Sequence, residues 1–543
     1  DNEKPSRIEM SEGELSELIA EIKVSSLSEK SKGVVINALL AFLWINRQLE
    51  RKNLSLKKLA NLFFGSKTER LEKSKKPQGD KDSPPPAGPS PTGSSPSART
   101  GSATRPQPPV GHGKNGQAKF EGAPHIPVPH QTLKSGDQCP ECERGRLYFF
   151  DHGSVLRFFG QPPIVAKVFE PEQLRCALCQ AFFTAELPAA AGKERHHPSA
   201  KAMVAVLTSG AGVPAYRLEM LEKSLGVHLP DSTQSDLREQ VANDAGPVHK
   251  HLEYLAANGD LFHNDDTPHK ILELMKENKS LAKDARKGMQ TTGIVAVTGE
   301  GKKIALFATG RKHAGENLAA LLEKREPAAP FPIQMGDAAK LNVTAEYRDL
   351  LIKCLCLDHG RRNFFEILES FPRECRHVVE ELSYIYKHDA EAKRLGLSPE
   401  ARLEYHQEHS RVVMNRLNAW MEEKIENREV EPNSPLGEAI EYFVKHWNGL
   451  TQFLRVIGAP LSNAEVERLL KKCVLRRKNS MFYRTQVGAW IGDVLMSVIE
   501  TARFAGKNPF EYLEALQVHA VRVRTSPESW LPWNYQATIA AIC

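Results

Sequence analysis

Nowhere in the 543 residues does an apolar run approach membrane-spanning length; the longest candidate, Leu39 to Ile45, is far too short. No apolar export segment opens the chain either, so the expectation is a cytoplasmic protein with no membrane partner. Cysteine is scarce. There are nine, an odd number for a disulfide framework in so long a chain, and four of them fall into two Cys-x-x-Cys pairs. That pattern points to a reducing compartment with bound metal. A large excess of one charge is missing too: the net charge is only +6, so what matters is where the positive residues sit. From Lys73 to Pro109 there is no Val, Ile, Leu, Met or aromatic residue, while ten of the 35 prolines lie between Pro77 and Pro109. Nothing in that stretch can bury itself, so residues 73–118 are expected to form a disordered linker.

What is present suggests several soluble units. Residues 1–72 read as helical. Ser11-x-x-Glu14 has the form of a capping box, and Val35, Leu39, Phe42, Asn46, Leu49, Asn53 and Leu56 alternate by four and three. Asn46 at an a-like position suits a short two-stranded coiled coil; a helix packed on its own domain fits the spacing equally. Ten Lys/Arg against three Glu between Arg47 and Lys76 make this segment basic. In residues 119–190, Cys139-Pro-Glu-Cys142 and Cys176-Ala-Leu-Cys179 have the spacing of a four-thiolate zinc ribbon, a closed and therefore structural site. Residues 191–250 read as three helices, the last near Ser232 to Val241. They permit either a DNA-binding helix-turn-helix or an ordinary helical hairpin.

In residues 251–363, Leu261-Phe262-His263-Asn264-Asp265-Asp266-Thr267-Pro268 reads as a buried strand ending in carboxylates, or as an acidic turn capping the next helix. A hairpin comes next (Gly293 to Thr298, Lys303 to Ala308), then a helix near Ala314 to Lys324. Two further apolar runs end in Asp337 and in Asp358-His359-Gly360-Arg361-Arg362. This order is the one expected of a ribonuclease-H-like mixed sheet, an α/β core with Asp265 and Asp337 at neighbouring strand ends. Residues 364–455 read as a large helical insertion, with Ser398-Pro399 and Ser434-Pro435 as helix starts. Residues 456–543 return to the core with a helix beginning near Glu467. From Arg468 to Arg484 there are seven Lys/Arg and no acidic residue, an arrangement suited to a cation and a polyanion together.

The whole chain resembles bacterial transposases of the insertion-sequence-sixty-six family. The resemblance rests, in order, on Phe64 to Leu71, the cysteine pairs at 139–179, His263-x-Asp265-x-Thr267-Pro268, Cys356-x-x-His359-x-Arg361-Arg362, Arg477-Lys-Asn479 and Ile499-Glu-Thr-Ala502. It implies a catalytic triad of Asp265, Asp337 and Glu467 holding two Mg²⁺, with Mn²⁺ as a substitute. It further implies one structural zinc on Cys139, Cys142, Cys176 and Cys179. Two departures stand out: Ser462-Asn463-Ala464 replaces the family's Asp-Asn-Asn run, and Asp266 stands where the family has Glu.

The implied activity is cleavage at transposon 3′ ends and joining to target DNA, in-line displacements at phosphorus that need hard-oxygen metal ligands. The implied partner is double-stranded DNA, bound by a homodimer or higher oligomer, with accessory proteins as an option. Arg361, Arg362, Arg468, Lys471, Lys472, Arg476, Arg477 and Lys478 are the expected phosphate contacts. A nuclease of the same fold and an inactive DNA-binding derivative are the competing readings.

Overall fold

The computed structural model describes residues 194–542 continuously. Before that it describes 130–192 except 139, 141–143, 149–160 and 180–181, plus Ile22, Lys23, Ser28, Lys32 and Val35. The heptad segment as a whole, the basic stretch, the linker, Cys139 and Cys142 therefore lie outside the described residues. The chain divides into two compact units, 1–124 and 125–543.

The second unit begins with a small hairpin, β1 (Gln173–Arg175) antiparallel to β2 (Phe182–Thr184). Three helices come next: α1 (Pro198–Ala205), α2 (Ala215–Ser224) and α3 (Asp231–Ala257). Then come β3 (Leu261–Pro268), α4 (Leu272–Glu277), β4 (Gln290–Val297), β5 (Lys303–Gly310), α5 (Ala314–Leu322), β6 (Ile333–Gly336) and β7 (Ile352–Leu355). The chain continues with α6 (Leu357–Glu366), α7 (Pro372–Arg394), α8 (Pro399–Glu426), α9 (Pro435–Leu450), α10 (Ala464–Ser480) and α11 (Gln486–Phe504). It closes with α12 (Pro509–Val518), α13 (Ala520–Thr525) and α14 (Tyr535–Ile542). Ser398 and Ser434 cap α8 and α9 as their sequence suggests, accepting from Ala401 N at 3.3 Å and Gly437 N at 3.1 Å.

Five strands form one mixed sheet in the order β5-β4-β3-β6-β7. β4 runs antiparallel to both β3 and β5; β6 runs parallel to both β3 and β7. The fold is thus a mixed α/β core. Side chains alternate strictly across it. Phe262, Ile294, Ala296, Ile304 and Leu306 join the main core with α3, α5, α11 and α12. Val295, Ala305 and Phe307 face the other way, onto Val466, Leu469, Leu470 and Cys473 of α10.

The outer edge of β5 is closed by side chains. Asp493, Ser497 and Thr501 of α11 accept the backbone N–H groups of Thr309 (2.7 Å), Phe307 (3.0 Å) and Ala305 (3.0 Å). Four helical residues rise about 6 Å and two strand residues about 6.6 Å, so the two ladders stay in step. A bare edge that would template another strand is thereby covered.

Two expectations are corrected. β3 does not stop at the carboxylates but pairs with β4 as far as Pro268 opposite Gln290. The third helix of the 191–250 region runs past Val241 to Ala257, through Pro247. Its Val241, Ala245, Val248, Leu252 and Ala256 belong to the same core as the sheet. The exposed face of its first turns carries Asp236 and Glu239, which repel phosphate, so it is poorly suited to enter a DNA groove.

Candidate functional site

Register brings the first two acids together. β3 and β6 pair in parallel only up to His263 opposite Met335. Two residues past that last pair come Asp265, still on β3, and Asp337, just beyond the end of β6. Asp337 Oδ1 is fixed by Ala339 N at 2.9 Å and by the side chain of Asn342.

The third acid arrives on α10. Three of its first four residues are Ala464, Glu465 and Glu467, and Glu467 N closes the first turn on Asn463 O at 3.2 Å. Gly293, directly opposite Asp265 on β4, lets this helix lie against the sheet. A Cβ at Gly293 would stand 3.0 Å from Leu470 Cδ2 and 3.1 Å from Val466 Cγ2. Buried Asn463 then pins the helix start: its N–H donates to Cys356 Sγ (3.2 Å), its Nδ2 to Asn264 O (3.2 Å), and its Oδ1 meets His263 Nδ1 at 3.1 Å. Because Oδ1 is an acceptor, His263 carries its proton on Nδ1 in this network. Burial pushes that imidazole down to about 4, the Asn463 contact opposing, so it is neutral at pH 7.

The electrostatics register the convergence. Burial raises the Asp265 carboxyl to about 6, and the charges of Asp337 and Glu467 push it the same way, against an N–H bond from Asp266 (2.8 Å). Among the described residues, no Lys or Arg forms an ion pair with Asp265, Asp337 or Glu467. Burial likewise pushes the Tyr442 phenol of α9 up to about 12, with Asp337 and Cys356 adding to it. Burial also lowers Lys353 of β7, with Asp337 opposing.

Asp266 turns to the other face, as strand alternation requires. Its carboxylate accepts Thr292 Oγ1 (2.6 Å) and Ala314 N (2.8 Å), so it caps α5 and not the helix next to it in sequence.

The expected phosphate contacts divide. Arg362, Arg468, Lys471 and Lys478 are exposed. Lys472 pairs with the buried Glu500, and Arg477 reaches Thr267 Oγ1 (3.2 Å) and Pro268 O. Arg361 and Arg476 are corrections to the expected set. Arg361 is buried, pairs with Asp358 at 3.1 Å and stacks on Tyr386. Arg476 is buried, bonds Tyr483 OH at 2.6 Å and lies 4.5 Å from that ring's centroid. Both serve packing. Of the cysteine pairs, Cys176 and Cys179 are described, with Cys179 N directed at Cys176 Sγ at 3.5 Å.

One grouping was not foreseen. Cys356, His359 and Glu467 each offer a ligand atom, all within 4.8 Å of one another. The Cys-x-x-His signal was visible; its meeting with Glu467 depends on how α10 docks.

A mixed sheet with acidic side chains at its strand ends, beside a Cys-His-Glu group of metal-ligand chemistry, defines an α/β protein with a candidate metal site. Residues 193–490, more than half of the chain, match the family described as Transposase IS66 family. The chain belongs to that family.

Three proteins of Sinorhizobium fredii (strain NBRC 101917 / NGR234) are similar over part of the sequence. Uncharacterized protein y4jD is 33% identical over 186 residues, 34% of this chain and 36% of its own. Uncharacterized protein y4hP is 29% identical over 198 residues, with the same two shares. Uncharacterized protein y4qI is 22% identical over 184 residues, 33% of each chain. The matched region thus spans about a third of each relative. No solved structure matches. Among the described residues, no helix is long and apolar enough to cross a membrane.

Proposed function

We propose that this chain is a transposase of the Asp-Asp-Glu type, cutting transposon 3′ ends and joining them to target DNA. Asp265, Asp337 and Glu467 are its metal-binding acids. What supports the reading is that Asp265 on β3 feels the charges of Asp337, just past β6, and of Glu467 in the first turn of α10. The sheet order, with a central β3, an antiparallel β4 and parallel β6 and β7, supports a ribonuclease-H-like core.

Three carboxylates without a cationic side chain between them fit Mg²⁺, which takes hard oxygen ligands and retains water. Bound there, Mg²⁺ supplies Lewis-acid activation of the attacking oxygen and stabilises charge on the leaving one. The protein's own part is positioning. Asn342 and Ala339 N hold Asp337, Asp266 N orients Asp265, and Asn463 sets where Glu467 enters. Exposed Arg362, Arg468, Lys471 and Lys478 suit backbone phosphates, which carry affinity without reading sequence.

We assign Cys176 and Cys179, with Cys139 and Cys142, to one structural zinc; the Cys179 N–H aimed at Cys176 Sγ supports this. Joining two ends on DNA calls for at least a homodimer. Incubating the full-length protein with end DNA and Mg²⁺, and scoring cleavage and joining separately, tests the reading. Cleavage without joining would make it a nuclease, and neither activity with intact DNA binding would make it an inactive derivative.

A further inference from the structure

Cys356 closes β7 as the N-cap of α6, and His359 sits in that helix's first turn. α10 starts beside them: Leu357 N donates to Leu461 O at 2.9 Å and Asn463 N to Cys356 Sγ at 3.2 Å. Two helix starts are thus tied together, and each turns a potential ligand into the space between. His359 Nδ1 and Glu467 Oε1 stand 3.8 Å apart, beyond hydrogen-bond reach, and both are buried atoms with no hydrogen-bond partner. Buried polar atoms left unpaired in this way are costly unless something binds them.

The donor set selects its occupant. A thiolate beside an imidazole disfavours Mg²⁺ and suits Zn²⁺, which takes Cys, His and Glu ligands in one tetrahedral shell. Burial pushes the Cys356 thiol up to about 12, against N–H bonds from Asn463 and His359, so a bound cation must displace its proton as metal–thiolate bonding ordinarily does. At metal–ligand distances of about 2.0–2.3 Å, neighbouring donors in such a shell lie roughly 3.3–3.8 Å apart. The three ligand atoms already lie within 4.8 Å of one another, so ligation asks each to move by about 1 Å.

We propose that Cys356, His359 and Glu467 form a Zn²⁺-type site whose fourth position is open, with Glu467 as the ligand shared with the carboxylate triad. Oε1 of Glu467 turns to His359, leaving the other oxygen to the triad. Occupancy by Zn²⁺ therefore fixes the third acid from behind, through a centre distinct from the cysteine knuckles and from the Mg²⁺ ligands Asp265 and Asp337. The proposal shares a residue with the transposase reading but stands without it.

The test is zinc content by elemental analysis of the full-length protein, after Zn²⁺ alone is added and excess removed by dialysis. Cys356→Ser and His359→Gln should each hold about one zinc fewer per chain than the wild type, while Asp265→Asn keeps the wild-type number. The comparison is by difference, so the cysteine-knuckle zinc cancels. Should Cys356→Ser fail to fold, His359→Gln decides alone. Wild-type zinc content in every folded variant of these two positions overturns the site. Loss of zinc in them together with full DNA cleavage by Asp265→Asn would keep the site and remove the triad reading instead.

Discussion

Asn463→Ala is the substitution that separates the architecture of the site from its chemistry. The Asn463 side chain bonds none of the three carboxylates, yet three polar groups of this residue tie the start of α10 to β3 and to Cys356. The backbone bond to Cys356 Sγ survives the change; both side-chain contacts are lost. His263 Nδ1, on a residue only 2% exposed, is left without its partner, and Asn264 O loses a donor. At about 1–3 kcal/mol for each of the two stranded buried groups, the expected loss of stability is roughly 2–6 kcal/mol. The start of α10 also gains freedom to shift, and misplacing a reacting group by about 1 Å can cost on the order of a hundredfold in rate. Urea unfolding at pH 7 gives the first number, and Mg²⁺-dependent cleavage of end DNA at saturating DNA gives the second. Asn463→Asp, which keeps the acceptor oxygen facing His263 but not the amide donor, should lie between Ala and wild type. A variant within about 0.5 kcal/mol of wild type, cleaving within twofold of it, would refute this account of how Glu467 is held.

Other outcomes rest on the same geometry. Burial raises the Asp493 carboxyl to about 7, against bonds from Thr309, and its unfolded value is about 3.9. Such a raised group contributes stability that is fully present below pH ~3.9 and is lost as pH rises through ~7. Asp493→Asn should therefore gain on wild type by about 2 kcal/mol between pH 5.5 and pH 8 in paired urea titrations, and a pH-independent difference would contradict the buried charge. Replacing Lys471 and Lys478 with Ala should weaken binding to all DNA sequences and flatten the salt dependence by roughly two units of slope. Arg476→Ala should instead lower the unfolding midpoint, because that guanidinium lies against Tyr483. The opposite assignment of the two effects, read by titration at several salt concentrations and by thermal unfolding, would reverse the surface and interior roles.

The sheet was the legible part. The apolar start of Leu261 to Pro268 running into carboxylates, the Gly-Glu-Gly break between β4 and β5, and the Ser-Pro starts of α8 and α9 are local signals, and local chemistry decides them. Asp265 and Asp337 meet because one parallel register carries both, which an apolar run ending in a carboxylate hints at. What the sequence hid depends on tertiary packing. Asp244-Ala245-Gly246-Pro247 reads as a helix end, yet α3 continues through it. A proline costs a helix interior about 3 kcal/mol, whereas burying Val248 and Leu252 alone recovers about 1.5–3 kcal/mol apiece. A run of cations says nothing about which members face inward, so Arg361 and Arg476 could not be told from Arg362 and Lys478. The Asp-Asn-Asn departure at Ser462 also reads differently now, since the asparagine that anchors α10, Asn463, is retained.

The central claim is that Asp265, Asp337 and Glu467 act as one metal-binding unit, and its most direct test is cleavage of end DNA by Asp265→Asn, Asp337→Asn and Glu467→Gln in the full-length protein. Each should bind DNA as the wild type does and lose Mg²⁺-dependent cleavage and joining. Combining any two should add little, because groups serving one centre fail together. Asp266→Asn, which alters only the cap of α5, should retain measurable activity. Wild-type cleavage by any one of the three folded single variants, or an Asp266→Asn protein that is folded and dead while Asp265→Asn cuts, would contradict the account.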